Sequence, residues 1–264
     1  MTVEDRLPDQ FSRDLLAGSL MVANDQNNPV RLHLAAAGLR ELFGHILHAD
    51  APDDEVRTCA WFRQEPNTNT VTRRQKAIYS TQGGLSDAFV EQLGLDVNDL
   101  HRAAIRSIEA LNKATHVRPD TLVNDKATIK SFIDEALVAL EGLLASFSEG
   151  RSAVKEALAA DIYRAMSDAL IEQTFDDIDI LAGKGYEIDP WIDDAEIQVE
   201  ALRSQVIVVS FTGLAHVTLH YGPKHDAAEI QHDFPFWLRF EAPVEKPAEL
   251  TLIAHHFDDT SWYS

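Results

Sequence analysis

Apolar residues recur with two different periods along this chain. After Asn28-Pro29, Leu32, Ala35, Leu39, Leu42 and Ile46 recur at three- and four-residue steps, the stripe of an amphipathic helix. Asn suits the N-cap and Pro the first helical position, and Ala51-Pro52-Asp53-Asp54 ends the pattern. Glu41, His45 and His48 fall on the polar face. A basic loop is predicted over 57–76, holding Trp61, Phe62 and the run Asn67-Thr68-Asn69-Thr70. Gly83-Gly84 marks a turn, and Ser86-Asp87 opens a short helix to about Leu93. Asp99 caps a helix carrying Leu100, Ala104, Ile108 and Leu111, which stops near His116 because Pro119 biases Arg118 away from helical angles. Two longer helices follow. One runs from about Lys126 to Phe147 with Ile129, Ile133, Leu137, Leu140 and Leu144 at core spacing; the other runs from Ser152 to Phe175. Gly150 between them predicts a break and an antiparallel helical hairpin.

Beyond Gly183-Lys184-Gly185 the period becomes two. Val217, Leu219 and Tyr221 alternate with His216, Thr218 and His220, and Phe234, Phe236, Leu238 and Phe240 alternate with Trp237, Arg239 and Glu241. Val206–Phe211 and Leu250–Phe257 read as further strands. The expected architecture is α+β: a helical domain over 1–178, a linker over 179–195, and a small antiparallel β domain over 196–264.

Charge narrows the function. The 264 residues carry 43 acidic and 23 basic side chains, a formal charge of −20. That disfavours a basic groove for duplex nucleic acid and an anionic membrane partner. Residues 1–150 hold 15 basic against 22 acidic groups, and 151–264 hold 8 against 21, so any nucleic-acid contact is expected in the helical half. No apolar run approaches the ~20 residues of a membrane span, and a cytoplasmic protein is expected. Cys59 is the single cysteine, which excludes an intramolecular disulfide and a multi-thiolate zinc site.

Six of the 11 histidines lie between His216 and His256. His216 and His220 share a strand face but stand roughly 13 Å apart at ~3.3 Å per residue, too far to share one metal unaided. Asp189, Asp193, Asp194 and Glu196 lack the Lys that a metal-dependent nuclease strand would carry, and Gln198 stands there instead; these acids read as a solvated loop. No metal site is assigned, and no cofactor is specified. Arg40-x4-His45 fits a loose Arg–His spacing used by metal-independent ribonucleases of the HEPN type, but chance supplies about two such matches in this chain. Arg73-Arg74-Gln75-Lys76 is the densest basic cluster and suits phosphate, or else pairs with the chain's many carboxylates. Asn112-Lys113-Ala114-Thr115-His116 gathers amide, ammonium, hydroxyl and imidazole at a helix C-terminus, where cations also serve as caps. His216, His220, Trp237 and Arg239 share the polar strand faces, as a ligand or partner face or as a seam against the helical domain.

Two stretches resemble a known family. Ala215–Phe240, with Tyr221-Gly222 closing one strand and Phe234-Pro235-Phe236 opening the next, resembles the C-terminal β region of predicted nucleases associated with prokaryotic PIWI proteins. Arg73-Arg74-Gln75, Gln82-Gly83-Gly84-Leu85 and Leu111–His116 resemble helical regions of such proteins. The matching pieces cover about a fifth of the chain. His225 and Ala227-Ala228 depart from the more basic, Gly-rich loop that the family shows, which argues against chemistry there. The resemblance implies a bacterial conflict or defence system, phosphodiester cleavage and a PIWI-type or other defence-system partner. On it, Asn112, Lys113 and His116 are the expected catalytic residues, and Arg73, Arg74 and Lys76 the expected phosphate contacts. A non-catalytic interaction or ligand-sensing module is the alternative.

Overall fold

The computed structural model describes residues 3–66, 68–92, 97–116, 120 and 122–263, without the side chains of 97–104 and 107. The expected helix end at Leu93, the Arg118-Pro119 terminator, Asn67 and the side chains of Asp99, Leu100 and Ala104 lie outside the described residues. The chain forms two compact units, 1–150 and 151–264. Helices come first and a four-stranded antiparallel sheet last, an α+β arrangement. Among the described residues no helix is long and apolar enough to cross a membrane.

The first unit contains α1 (Gln10–Asn24), α2 (Arg31–Asp50), α3 (Asp53–Thr58), α4 (Arg73–Gln82), α5 (Asp87–Gln92), α6 (Val97–Ala114) and the first part of α7 (Lys126–Glu172). The stripe read from the sequence is its core: Leu32, Ala35, Leu39, Leu42 and Ile46 of α2 are buried with Ile108 and Leu111 of α6 and Ile129, Ile133, Leu140 and Leu144 of α7. Burying each leucine or isoleucine among them contributes about 1.5–3 kcal/mol. Asn28 bonds the backbone of Val30 through its side chain, and α2 starts at Arg31, slightly later than Pro29 suggested.

The expected helical hairpin is absent, because α7 runs unbroken from Lys126 to Glu172. Gly150 serves close approach instead of a break. A Cβ there would lie 2.1 Å from the carbonyl oxygen of Thr81, so only glycine lets α7 meet the end of α4. The expected basic loop is also shorter than 57–76, since α3 and α4 occupy its two ends.

In the second unit, β1 (Tyr186–Leu202), β2 (Val206–Tyr221), β3 (Ala228–Pro243) and β4 (Thr251–Phe257) pair in chain order. Strand structure thus begins ten residues earlier than the expected start at 196, inside the expected linker, and the compact units divide within α7, not at 178. Phe211, Val217, Leu219, Phe234, Phe236, Leu238 and Phe240 form the buried face, as the period-two pattern required. Tyr163 of α7 meets Phe211 edge-on at 5.6 Å, and Phe175, just before α8 (Asp176–Asp179), packs at 4.8 Å on Phe257. The Asp cluster expected in a loop lies on β1, where irregularities at 188–192 and 193–196 interrupt its alternation and hid the strand.

Candidate functional site

In the helical unit, Arg40, Gly44 and His48 recur every four residues along α2 and so form one line on its surface. Helices α4 and α6 bring polar groups to it. Thr72 and Gln75 form a reciprocal capping box that starts α4 at Arg73. The Arg73 guanidinium lies against the bare backbone of Gly44, 3.6 Å from where a Cβ would stand, and donates to Asn112 Oδ1 at 3.0 Å. One turn earlier on α2, Arg40 donates to Thr115 Oγ1 at 3.4 Å and to its neighbour Glu41 at 2.7 Å. Two guanidinium groups from different helices therefore converge on the last turn of α6. Arg73, Asn112, Arg40 and Thr115 are all partly exposed, and Arg74, Lys113 and His116 are exposed. Arg73 and Arg74 are the first two residues of α4, where the helix dipole disfavours cations and favours an anion.

Lys76 departs from its expected role. It is 7% exposed and its ammonium bonds Asp53 Oδ1 at 2.6 Å, the Ala51 carbonyl at 2.7 Å and His48 Nδ1 at 3.1 Å. Those partners consume its donors, so Lys76 joins α2, α3 and α4 internally and presents no charge to a phosphate. The Lys76 hydrogen bond holds the Asp53 carboxyl below its ordinary range. The two halves of the Arg–His spacing also serve separate partners. Arg40 reaches α6, whereas His45 Nε2 bonds Asp9 at 2.8 Å, the residue that caps α1 through the backbone of Ser12. His45 and then Ser12 hold Asp9 far below the ordinary carboxylate range.

The outer face of the sheet places His216, Thr218 and His220 on β2 between acidic residues of β1 and β3. His216 Nδ1 bonds Asp233 at 2.6 Å and Nε2 bonds Asp193 at 3.1 Å. Asp233 and then Asp193 raise the imidazole pKa against a desolvation cost that works the other way. In its protonated form the ring donates from both nitrogens and clamps three strands together. His220 stands 3.8 Å from Glu187 and 3.5 Å from Glu229 in the same pattern. Arg239 pairs with Glu200 at 2.6 Å. Trp237 is 39% exposed, opposite His256 on β4. Among the described residues no group of three or more His, Cys, Asp and Glu gathers as metal ligands.

Two family models match the chain, both described as predicted pPIWI-associating nuclease, the first over residues 4–140 and the second over 147–263. The chain belongs to this family. The two matches meet near Gly150, where the compact units also divide, so this member of the predicted pPIWI-associating nucleases carries one family segment per unit. No curated protein and no solved structure matches the chain.

Of the residues singled out in this nuclease-family member's sequence, the fold joins Arg73 to Asn112 and leaves Arg74, Lys113 and His116 exposed on the same two helices, α4 and α6, or directly after them. Arg40 and Thr115 complete the group; the sequence placed Thr115 in the Asn112–His116 cluster without giving it a role of its own and did not join Arg40 to that cluster. Arg40 was read only in the Arg40-x4-His45 spacing, and no local spacing relates positions 40, 73 and 112. Asp9 was missed as well, although Asp followed by Gln-Phe-Ser is an N-cap signal that could have found α1.

Proposed function

We propose that this chain cleaves phosphodiester bonds and that the Arg40–Arg73–Asn112–Thr115 group holds the scissile phosphate. The observation that carries the reading is the convergence of the two guanidinium groups on the end of α6, beside the α4 N-terminus. Guanidinium groups bind phosphate oxygens in pairs and stabilise the charge that builds on them in the transition state. Lys113 and His116, exposed beside this group, supply a third cation and a proton carrier. Arg74 steers the backbone of the nucleic acid by charge. The test is hydrolysis of labelled single-stranded and duplex DNA and RNA by the whole chain and by R40Q, R73Q and H116A. Each variant is expected to lose about a hundredfold or more in kcat with its melting temperature near that of the parent. Full activity in both arginine variants overturns the assignment.

A non-catalytic interaction module is the second reading, and the exposed Trp237 beside His256 favours it. An aromatic ring on an otherwise polar sheet face suits burial by a partner, and the family description makes a PIWI-type protein the partner to test. W237A abolishing capture of that protein, with no hydrolysis by the parent chain, would support this reading over the first.

A further inference from the structure

Away from this group, α1, the start of α2 and the start of α7 enclose a cavity of about 400 Å³, within the size range of small-molecule sites. Its apolar wall is aliphatic: Leu20 from α1, and Ile129, Ile133 and Leu137 from α7. Arg31 lines it and is only 7% exposed. The guanidinium donates to the carbonyl oxygens of Gln26 at 3.3 Å and Asn124 at 3.1 Å, and among the described residues it has no carboxylate partner. Lys126 and Lys130 line the same cavity. The acid that lines it, Asp134, is bound to Lys130. In a chain of formal charge −20 this is a local excess of positive charge.

A buried cation is costly unless an anion meets it, and the two neutral carbonyls take only two of its five N–H donors and cancel none of its charge. The missing partner is therefore an anion, and a guanidinium favours a carboxylate, which it can bind through two parallel hydrogen bonds. The walls specify the remainder of the ligand. They contain no aromatic ring on which a nucleobase could stack, and their aliphatic side chains suit a short hydrocarbon body. We infer that this cavity binds a small aliphatic carboxylate, with its anionic end on Arg31 and Lys126 and its hydrocarbon along Ile129, Ile133 and Leu137.

The probe is octanoate, titrated calorimetrically into the full chain, with octanol and inorganic phosphate as controls. Octanoate is expected to bind at micromolar to millimolar concentrations and to raise the melting temperature, while octanol and phosphate each bind at least about tenfold more weakly. R31Q is expected to weaken octanoate by roughly ten- to a hundredfold. Because Arg31 is buried and its loss also bears on folding, K126Q/K130Q removes two exposed charges as a second variant, with an expected loss of a few-fold. Absence of octanoate binding, equal binding of octanol, equal binding of phosphate, or unchanged affinity in K126Q/K130Q overturns the inference.

Discussion

Lys76 and His216 are both basic side chains held by carboxylates, yet they are built in opposite ways. Lys76 is packed between helices, with three partners brought from α2, the α2–α3 turn and α3, and almost no water. His216 stands on an open sheet face, with one carboxylate from each neighbouring strand and solvent above. A buried pair is fixed by the packing of everything around it, and removing one member strands the other. An exposed cross-strand pair is set by register alone, is screened by water, and contributes little to stability. The contrast teaches why the helical group around Arg40 and Arg73 is the better candidate for chemistry. Its partly buried guanidinium groups come from two helices and, among the described residues, meet one carboxylate, Glu41, whereas each of the sheet's imidazoles on β2 stands between two acids that repel phosphate.

The sharpest way to break this comparison is to remove Lys76. K76A leaves Asp53 and the Ala51 carbonyl uncompensated and is expected to cost about 3 kcal/mol in urea denaturation. R74A, two residues away and exposed, is expected to stay within about 0.5 kcal/mol. Similar values for the two would show that burial does not distinguish them. The same contrast between closed and open positions runs along α7. Gly150→Ala drives a methyl into the Thr81 carbonyl and is expected to destabilise by about 2 kcal/mol. Gly142→Ala meets nothing within 4 Å and is expected to stabilise by up to about 1 kcal/mol through helix propensity alone. Stabilisation by both would mean that α7 and α4 do not touch at Gly150.

The smallest effect concerns pH. The folded pKa of His216 is raised above the ordinary 6.5, so its clamp contributes stability that is fully present below that value and lost as pH rises through the folded pKa. Asp9 has the opposite sign: its folded pKa is depressed, so its contribution is present above the ordinary 3.8 and lost as pH falls through the folded value. Thermal melts across pH should therefore show H216Q flattening the neutral to alkaline limb and D9N flattening the acid limb. A parent chain whose melting temperature does not change from pH 6 to pH 9 would remove the His216 clamp from the account.

The repeating patterns were legible because they need no partner to be read. The stripe on α2 and the alternation on β2 and β3 follow from 3.6- and two-residue periods, and the same residues are buried in the folded chain. Where one residue carried the signal, the reading failed. Gly150 looks like a breaker in isolation, and only the carbonyl of Thr81 pressed against it shows that it is a contact. The start of β1 was hidden because its irregularities disturb the alternation that marks a strand.

The candidate site divides in the same way. Sequence alone singled out Arg73, Arg74 and Lys76 as a basic cluster and Asn112–His116 as a polar one, because residue type and local density are local properties. It could not separate Lys76 from its neighbours, since burial and the approach of Asp53 depend on where α3 packs. Nor could it add Arg40 to Arg73, because those positions meet only when α2, α4 and α6 share a core. Periodicity is written into the chain one element at a time. Which charges are cancelled inside the protein, and which stay at its surface, was decided when those elements packed.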